Sequence, residues 1–181
     1  MTQSDPQAGS FRVWPSRRIV RPFTIGPEDV NLVDIANALA RQCRFLGHVS
    51  GFVSVGEHSL VVSRLLEERG ESPLIQATGL LHDASEAYLG DISGPLKCLP
   101  AFDGYREVEE HVERVIAAKY GLPFPYPPIV KVCDNESADL EMYGNADAGP
   151  LRERPLADGP TIDEVVAMFL ERAAELGVTD S

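Results

Sequence analysis

Apolar residues recur along most of the chain at the three- and four-residue spacing that is typical of amphipathic helices. Six segments show this spacing, and they span residues 29–43, 58–70, 73–89, 103–120, 128–144 and 161–176. Asn31 and Asp34 are candidate caps for the first segment. Gly70 is the last residue of the second segment and Gly90 directly follows the third, and glycine commonly ends a helix at such positions. The pattern therefore predicts an all-α helical bundle.

Evidence for strands is thin. The two candidates, residues 12–14 and 51–55, are short and isolated, so we expect a small hairpin at most. The proline-rich stretch 122–128 separates two helical patterns and is predicted to be a loop. With 181 residues the chain fits one domain. We expect a partly irregular N-terminal arm over residues 1–27 and the bundle over residues 28–181.

Charge and hydropathy narrow the possible partners. The formal net charge of −12 disfavours polymeric nucleic acid, whose binding relies on lysine and arginine to neutralise phosphates. This net charge is compatible with a small anionic substrate, because a bound cation and a few basic residues can make the electrostatic potential of one cleft positive. No apolar run approaches the roughly 20 residues that a bilayer span needs. The polar N-terminus lacks the layout of a secretory signal, so we expect a cytoplasmic protein with no membrane partner.

The segment LLHDASEAYLGD contains the most informative polar residues. His82 and Asp83 offer an imidazole nitrogen and a carboxylate oxygen from one predicted helical turn, a pair that suits a divalent cation. Glu86 is predicted on the same helix face as His82, where a base or a water-orienting group belongs. Asp91 follows the end of that helix and is a candidate proton donor. The neighbouring positions are mostly apolar, and buried charges need partners or metals.

The order of these residues resembles that of the HD-domain phosphohydrolases, over roughly residues 28 to 146. The motif of that superfamily is an upstream His, a His-Asp doublet and a later Asp, and here His58, His82, Asp83 and Asp134 match it. The resemblance implies one divalent transition metal, which cobalt, manganese, zinc, iron or nickel would satisfy. It leaves room for a second divalent ion that binds with the substrate phosphates.

The resemblance is closest to a small branch that comprises 5′-deoxynucleotidases and phage-type deoxyadenosine triphosphate triphosphohydrolases. In that branch an arginine beside an aromatic residue precedes the first metal histidine, and Arg44 and Phe45 match them. The resemblance implies that Arg44 and Lys97 hold phosphate and that Phe45 packs near the sugar or base. His48 could equally contact a phosphate or bond to a loop carbonyl.

The resemblance implies a metal-dependent phosphohydrolase that acts on deoxynucleotides in a bacterial or phage-infected cell and, by analogy, forms a homo-oligomer. Glu86 would orient or deprotonate the attacking water and Asp91 would assist the leaving 5′-hydroxyl. The compact RFLGH segment favours a deoxynucleoside triphosphate that releases triphosphate. The alternatives are a 5′-deoxynucleotidase that releases phosphate from monophosphates, and a catalytically silent regulatory module that binds nucleotides.

Overall fold

The structure, a computed structural model, describes residues 9–49, 51–143 and 159–180. The first eight residues of the predicted N-terminal arm therefore lie outside the described residues, as does the last residue of the predicted helix 128–144. The described part of the chain is mostly helical, as the periodicity predicted. Its helices are α1 (Leu32–Leu39), α2 (Val55–Glu68), α3 (Pro73–Leu81), α4 (Glu86–Leu89), α5 (Gly94–Lys97), α6 (Asp103–Tyr120), α7 (Pro128–Tyr143) and α8 (Ile162–Glu175).

The N-terminal arm forms a small antiparallel hairpin against the bundle. Strands β1 (Phe11–Arg12) and β2 (Ile19–Val20) pair in it. The arm buries Val13, Val20 and Ile25 in the same hydrophobic core as the helices. The short helix α5 was not predicted from the periodicity, because a single turn is too short to show one.

Helix α2 lies at the centre of the bundle, where it contacts α1, α3, α7 and α8. Ser54 caps its N-terminus and forms a capping box with Glu57, so the helix begins three residues before the predicted start at His58. Its buried face includes Leu60, Val62 and Leu66. A central helix buried on several sides is a rigid support for any functional side chain that it carries.

The predicted single helix over residues 73–89 is wrong in its middle, because residues 82–85 form a turn between α3 and α4. The Nδ1 atom of His82 lies 2.8 Å from the carbonyl oxygen of Gly79. In a continuous helix that carbonyl would accept a hydrogen bond from the backbone N–H of residue 83. The imidazole therefore competes with the backbone for the Gly79 carbonyl. In the turn that follows, backbone hydrogen bonds join residues three apart, whereas an α-helix joins residues four apart.

The segment 51–55 was predicted as a possible strand and is not one. Ser54 forms an isolated antiparallel bridge with Cys43, and Val55 already belongs to α2. The first helix is also shorter than the predicted 29–43, since Asn31 caps its N-terminus and it ends at Leu39. The loop predicted over residues 122–128 is confirmed up to Pro128, where α7 begins.

Candidate metal centre

Four side chains converge between α2, α7 and the turn that follows α3; they are His58, His82, Asp83 and Asp134, here called the His/Asp cluster. The Nε2 atom of His58 lies 3.1 Å from Oδ1 of Asp134 and 3.6 Å from Oδ2 of Asp83. The Nε2 atom of His82 lies 3.2 Å from Oδ2 of Asp83 and 3.8 Å from Oδ1 of Asp134. The structure thus brings together all four side chains that the sequence assigned to a metal.

Three members of the cluster have ligand atoms close enough together to bind one metal ion. One ligand atom from each of His58, His82 and Asp134 lies within 4.8 Å of the others. Neighbouring ligands of one small cation stand at such separations, because each binds the ion at about 2.0–2.2 Å. These residues form a group within metal-binding distance.

The two histidines present lone pairs to the centre of the cluster. Both Nε2 atoms are buried and have no hydrogen-bond partner among the described residues. The Nδ1 atom of each ring faces an acceptor, the carbonyl of Gly79 for His82 and a carboxylate oxygen of Glu141 for His58. Because an acceptor on Nδ1 holds a proton there, each Nε2 would offer its lone pair to a metal once any proton on Nε2 is released. The buried, unpartnered nitrogens fit a bound cation.

Close packing of the ionisable groups shifts their pKa values. Burial of His82 lowers its pKa, but the nearby Asp83 and Asp134 carboxylates outweigh burial and raise the pKa to about 10. Burial raises the pKa of the Asp83 carboxyl, whereas His82 and His58 hold it well below its usual range. Burial also raises the pKa of the Asp134 carboxyl, but hydrogen bonds from His58 and His82 hold this pKa below its usual range. Both carboxylates therefore stay ionised, the state that metal ligation requires.

Glu141 and Ser137 support His58 from behind, and the sequence analysis missed both. Glu141 Oε1 lies 2.8 Å from Nδ1 of His58, and the Ser137 hydroxyl donates to the same carboxylate at 2.8 Å. Four-residue steps from Asp134 lead to Ala138 and Met142, but Met142 is exposed and does not face the cluster's supporting residues. Steps of three and four residues from Asp134 lead to Ser137 and Glu141, and this spacing was the available signal.

Arg44 lies beside the cluster in an unusual turn. Its Nη1 is 3.5 Å from Oδ2 of Asp83 and its Nε donates to Glu141 at 2.8 Å. The next residues, Phe45 and Leu46, have φ values of 55° in the left-handed region. Such a conformation costs a non-glycine residue roughly 1–3 kcal/mol and persists only where surrounding contacts impose it. The Arg44 guanidinium stacks over the Phe45 ring, 5.1 Å from its centroid.

His48 stands apart from the other predicted substrate-binding residues. Its backbone N–H donates to the carbonyl of Phe45 at 2.9 Å, and its side chain is exposed. Within the described part of the chain, no hydrogen bond or ion pair joins this imidazole to the His/Asp cluster. The structure therefore does not bring His48 to the cluster.

Glu86, which is buried, and Lys97, which is half-buried, form a pair next to the cluster. Glu86 is 5% exposed, and its Oε1 lies 3.5 Å from Nζ of Lys97. Burial, with the charges of Asp83 and Asp91 adding to it, raises the pKa of Glu86 to about 9. Its other oxygen, Oε2, is buried and has no hydrogen-bond partner in the described structure. Glu86 is therefore positioned to accept a hydrogen bond from water or to hold a proton.

Asp91 lies on the Arg44 side of the cluster. Arg44, Phe45, Leu46, Asp91, Ser93, Gly94 and Pro95 line a cavity of about 180 Å³, here called the Arg44 cavity. The backbone N–H of Asp91 donates to Gln42 at 3.1 Å, which fixes the chain at this point. Burial raises the pKa of Asp91, and Arg44 opposes that rise. A partly buried carboxyl with a raised pKa retains its proton more readily than a solvated one.

A second cavity, of about 230 Å³, borders the cluster, since His82, Asp83 and Asp134 form part of its wall. Its polar wall includes His82, Asp83, Lys97, Glu109, Glu113 and Tyr126. The last three belong to α6 and the loop before α7, and the sequence analysis assigned none of them to the site. Helical spacing placed Glu109 and Glu113 on one face of α6, but no motif marked that face as functional.

The fold and the cluster together define an all-α protein with a His/Asp group spaced to hold a metal ion. None of the helices in the described ranges combines the length and the apolar composition of a bilayer span. No protein-family model matches the chain.

Two relatives are similar to this chain over most of its length. The chain is 40% identical over 166 residues to the uncharacterized protein YfdR of Escherichia coli, and the match covers 84% of this chain and 87% of that protein. It is 37% identical over 123 residues to the uncharacterized protein RCAP_rcc00048 of Rhodobacter capsulatus, covering 64% of this chain and 62% of that protein. The chain belongs to the same family as YfdR.

Proposed function

We propose that this protein is a metal-dependent phosphohydrolase of the HD superfamily that acts on deoxynucleotides. One observation carries the proposal: the unpartnered Nε2 atoms of two buried histidines point at the same place as the carboxylates of Asp83 and Asp134. Two neutral nitrogens and two carboxylate oxygens are a ligand set that divalent transition metals accept. In this proposal His58, His82, Asp83 and Asp134 hold the ion.

A divalent cation at this place supplies positive charge that polarises a phosphoryl oxygen and acidifies water. Arg44 reaches the same point from one side, since its Nη1 lies 3.5 Å from Asp83. Its guanidinium presents a planar set of donors that suits phosphate oxygens. Arg44 therefore orients the phosphate and neutralises part of its charge.

Glu86 is the residue best placed to orient the attacking water and, in its ionised form, to take a proton from it. Its free Oε2 is buried near Asp83, and Lys97 holds Oε1. Asp91 lines the same cavity as Arg44 and Phe45. In this proposal Asp91 gives a proton to the leaving 5′-oxygen, and Phe45 packs against the sugar or base.

The proposed hydrolase activity has two forms, and one alternative function lacks catalysis. The RFLGH segment favours release of triphosphate from a deoxynucleoside triphosphate, and release of phosphate from a monophosphate is the second form. The alternative function is that of a regulatory module that binds nucleotides without turnover. Retention of both Glu86 and Asp91 next to the cluster argues for an enzyme.

The test supplies metal-stripped protein separately with cobalt, manganese, zinc, nickel or iron and offers each deoxynucleoside mono- and triphosphate. Chromatography resolves nucleoside, phosphate and triphosphate. Asp83→Asn should abolish metal-dependent product, whereas the matched change Asp139→Asn, at an exposed position of α7, should not. Nucleotide binding without product under every metal would replace the enzyme with the regulatory module. Equal activity of Asp83→Asn and wild type would contradict the metal centre.

A further inference from the structure

The side chain of Gln42 joins two residues that carry proposed catalytic groups. Its Nε2 donates to the backbone carbonyl of Glu86 at 3.0 Å, and its Oε1 accepts from the backbone N–H of Asp91 at 3.1 Å. A carbonyl can only accept and an N–H can only donate, so these two bonds fix which end of the amide faces each partner. One side chain therefore links the first residue of α4 to the loop that follows the helix.

The segment around α4 has little regular structure of its own. Helix α4 is a single turn of four residues, and residues 82–85 before it form a turn. Residues 91–93 after it belong to no helix or strand. A segment with few backbone hydrogen bonds of its own opens at a low cost in free energy. Contacts from other parts of the chain must therefore hold Glu86 and Asp91 in place.

Asp91 depends on Gln42 more than Glu86 does. In the parts of the chain that the structure describes, the Asp91 carboxylate makes no hydrogen bond or ion pair, so its position follows from its backbone. That backbone is held at its N–H by Gln42, and one residue earlier the Tyr105 hydroxyl donates to the carbonyl of Gly90 at 3.0 Å. Glu86 has a further support, because the N–H of Gly90 donates to the Glu86 carbonyl at 2.8 Å.

Gln42 is itself held against helix α2, which carries His58. Its backbone carbonyl accepts from the N–H of Val55, the first residue of α2, at 3.0 Å. Two residues further along the chain, the N–H of Arg44 donates to the carbonyl of Val53 at 2.9 Å. The Gln42 amide therefore extends from backbone that is bonded to the start of the central helix, and it is a fixed point for the segment around α4.

We propose that Gln42 is a positioning residue that fixes the separation of Glu86 and Asp91 beside the His/Asp cluster. The proposal rests on the phosphohydrolase function proposed above, in which Glu86 acts on the attacking water and Asp91 on the leaving oxygen. Gln42 acts through the backbone of these two residues and is not a metal ligand. A displacement of about 1 Å can lower a rate by about 100-fold, so a residue that acts only through position can control turnover.

Three variants test the proposal. Gln42→Met keeps the length of the side chain and removes both hydrogen bonds. Gln42→Glu keeps an acceptor for the N–H of Asp91 and loses the donor to the carbonyl of Glu86. Gln76→Met is the matched control, because the Gln76 amide also donates to a backbone carbonyl and accepts one bond, from Arg172, and neither partner belongs to the cluster.

The first measurement is hydrogen exchange of the Asp91 backbone amide, followed by NMR on the isotopically labelled full chain before and after zinc is added. Wild type should protect this amide, and Gln42→Met should exchange it about tenfold faster. Gln42→Glu and Gln76→Met should keep it protected. Free exchange in wild type, or equal protection in Gln42→Met, would overturn the proposal. Equal loss of protection in both Gln42 variants would do the same, because the loss would not depend on the acceptor atom.

The second measurement is turnover of the nucleotide that gives product in the assay proposed above. Gln42→Met should lower kcat about 10- to 100-fold. It should leave the metal affinity unchanged, since no hydrogen bond joins Gln42 to a cluster residue in the described part of the chain. Gln76→Met should keep kcat even where urea unfolding shows an equal loss of stability. An unchanged kcat in Gln42→Met, or an equal loss of kcat in both variants at equal stability, would overturn the proposal.

The exchange measurement needs no turnover, so it separates the two proposals. Loss of Asp91 protection in Gln42→Met, together with no turnover of any nucleotide by wild type, would retain the positioning by Gln42 and reject the phosphohydrolase. Turnover by wild type with full protection in Gln42→Met would retain the phosphohydrolase and reject the positioning. Circular dichroism of each variant establishes that it is folded.

Discussion

Glu141 lies 2.8 Å from Nδ1 of His58, although 83 positions separate the two residues along the chain. The carboxylate can only accept, so it fixes the proton of this imidazole on Nδ1 and turns Nε2 toward Asp134. Glu141 also accepts from Arg44. One carboxylate on α7 thus orients both a proposed metal ligand on α2 and the proposed phosphate-binding arginine.

Glu141→Ala should weaken metal binding about 10- to 100-fold, because an imidazole without its carboxylate loses its fixed tautomer and part of its basicity. Competition with a coloured chelator measures the metal affinity. Asp139→Ala removes an acid from an exposed position of the same helix and should bind metal as the wild type does. Equal affinities for Glu141→Ala and wild type would mean that Glu141 does not position the ligand.

Glu86→Gln should make the metal-stripped protein more stable above pH 5. Glu86 has a folded pKa of about 9, above the usual value of 4.5. Its contribution to stability is therefore complete below pH 4.5 and is lost as pH rises toward 9. The loss amounts to at most about 1.4 kcal/mol per pH unit.

Urea unfolding of wild type and Glu86→Gln at pH 4.5, 6.5 and 8 tests this. The two proteins should differ least at the lowest pH and most at the highest. The variant should also lose turnover by about 10²- to 10⁴-fold if Glu86 moves a proton in the reaction. A constant stability difference at all three pH values would show that Glu86 is not protonated in the folded state.

Arg44→Lys should lower kcat/KM by about 10- to 100-fold even though the charge is kept. Arg44 contacts Glu141 through Nε and Asp83 through Nη1, and a lysine cannot reproduce this fork. Steady-state kinetics on the nucleotide that gives product in the assay proposed above measure the effect. Arg41→Lys changes an exposed arginine nearby and is the control. Full activity of Arg44→Lys would assign the phosphate to another residue.

Gly79→Ala should destabilise the protein by on the order of 1 kcal/mol. A Cβ at this position would lie 2.3 Å from Cδ1 of Leu66, a side chain that is fully buried. Overpacking costs about 1–3 kcal/mol, and the better helix propensity of alanine offsets about 1 kcal/mol of it. Gly104→Ala has open space and should be neutral or stabilising. Thermal unfolding of both variants distinguishes these outcomes, and equal stability would show that α2 and α3 can move apart.

Much of the site was predictable because its residues lie in recognisable local patterns. His82 and Asp83 stand out as polar groups within a mostly apolar segment, and Asp134 does so within a later one. A polar side chain in such a sequence must find a partner, which makes it visible without a structure. Glu113 lacks that signal, since it stands among other charged residues of α6.

The sequence by itself determined the longer helices, because each buries a periodic apolar face whose spacing is a local property of the chain. It also determined the identity of the four cluster residues. Only the tertiary structure decided that Glu141 supports His58, that His82 contacts the Gly79 carbonyl where α3 ends, and that Glu109 and Glu113 line a cavity beside the cluster. These relationships depend on how α2, α6 and α7 pack, and distances between side chains on different helices leave no periodic trace in the sequence.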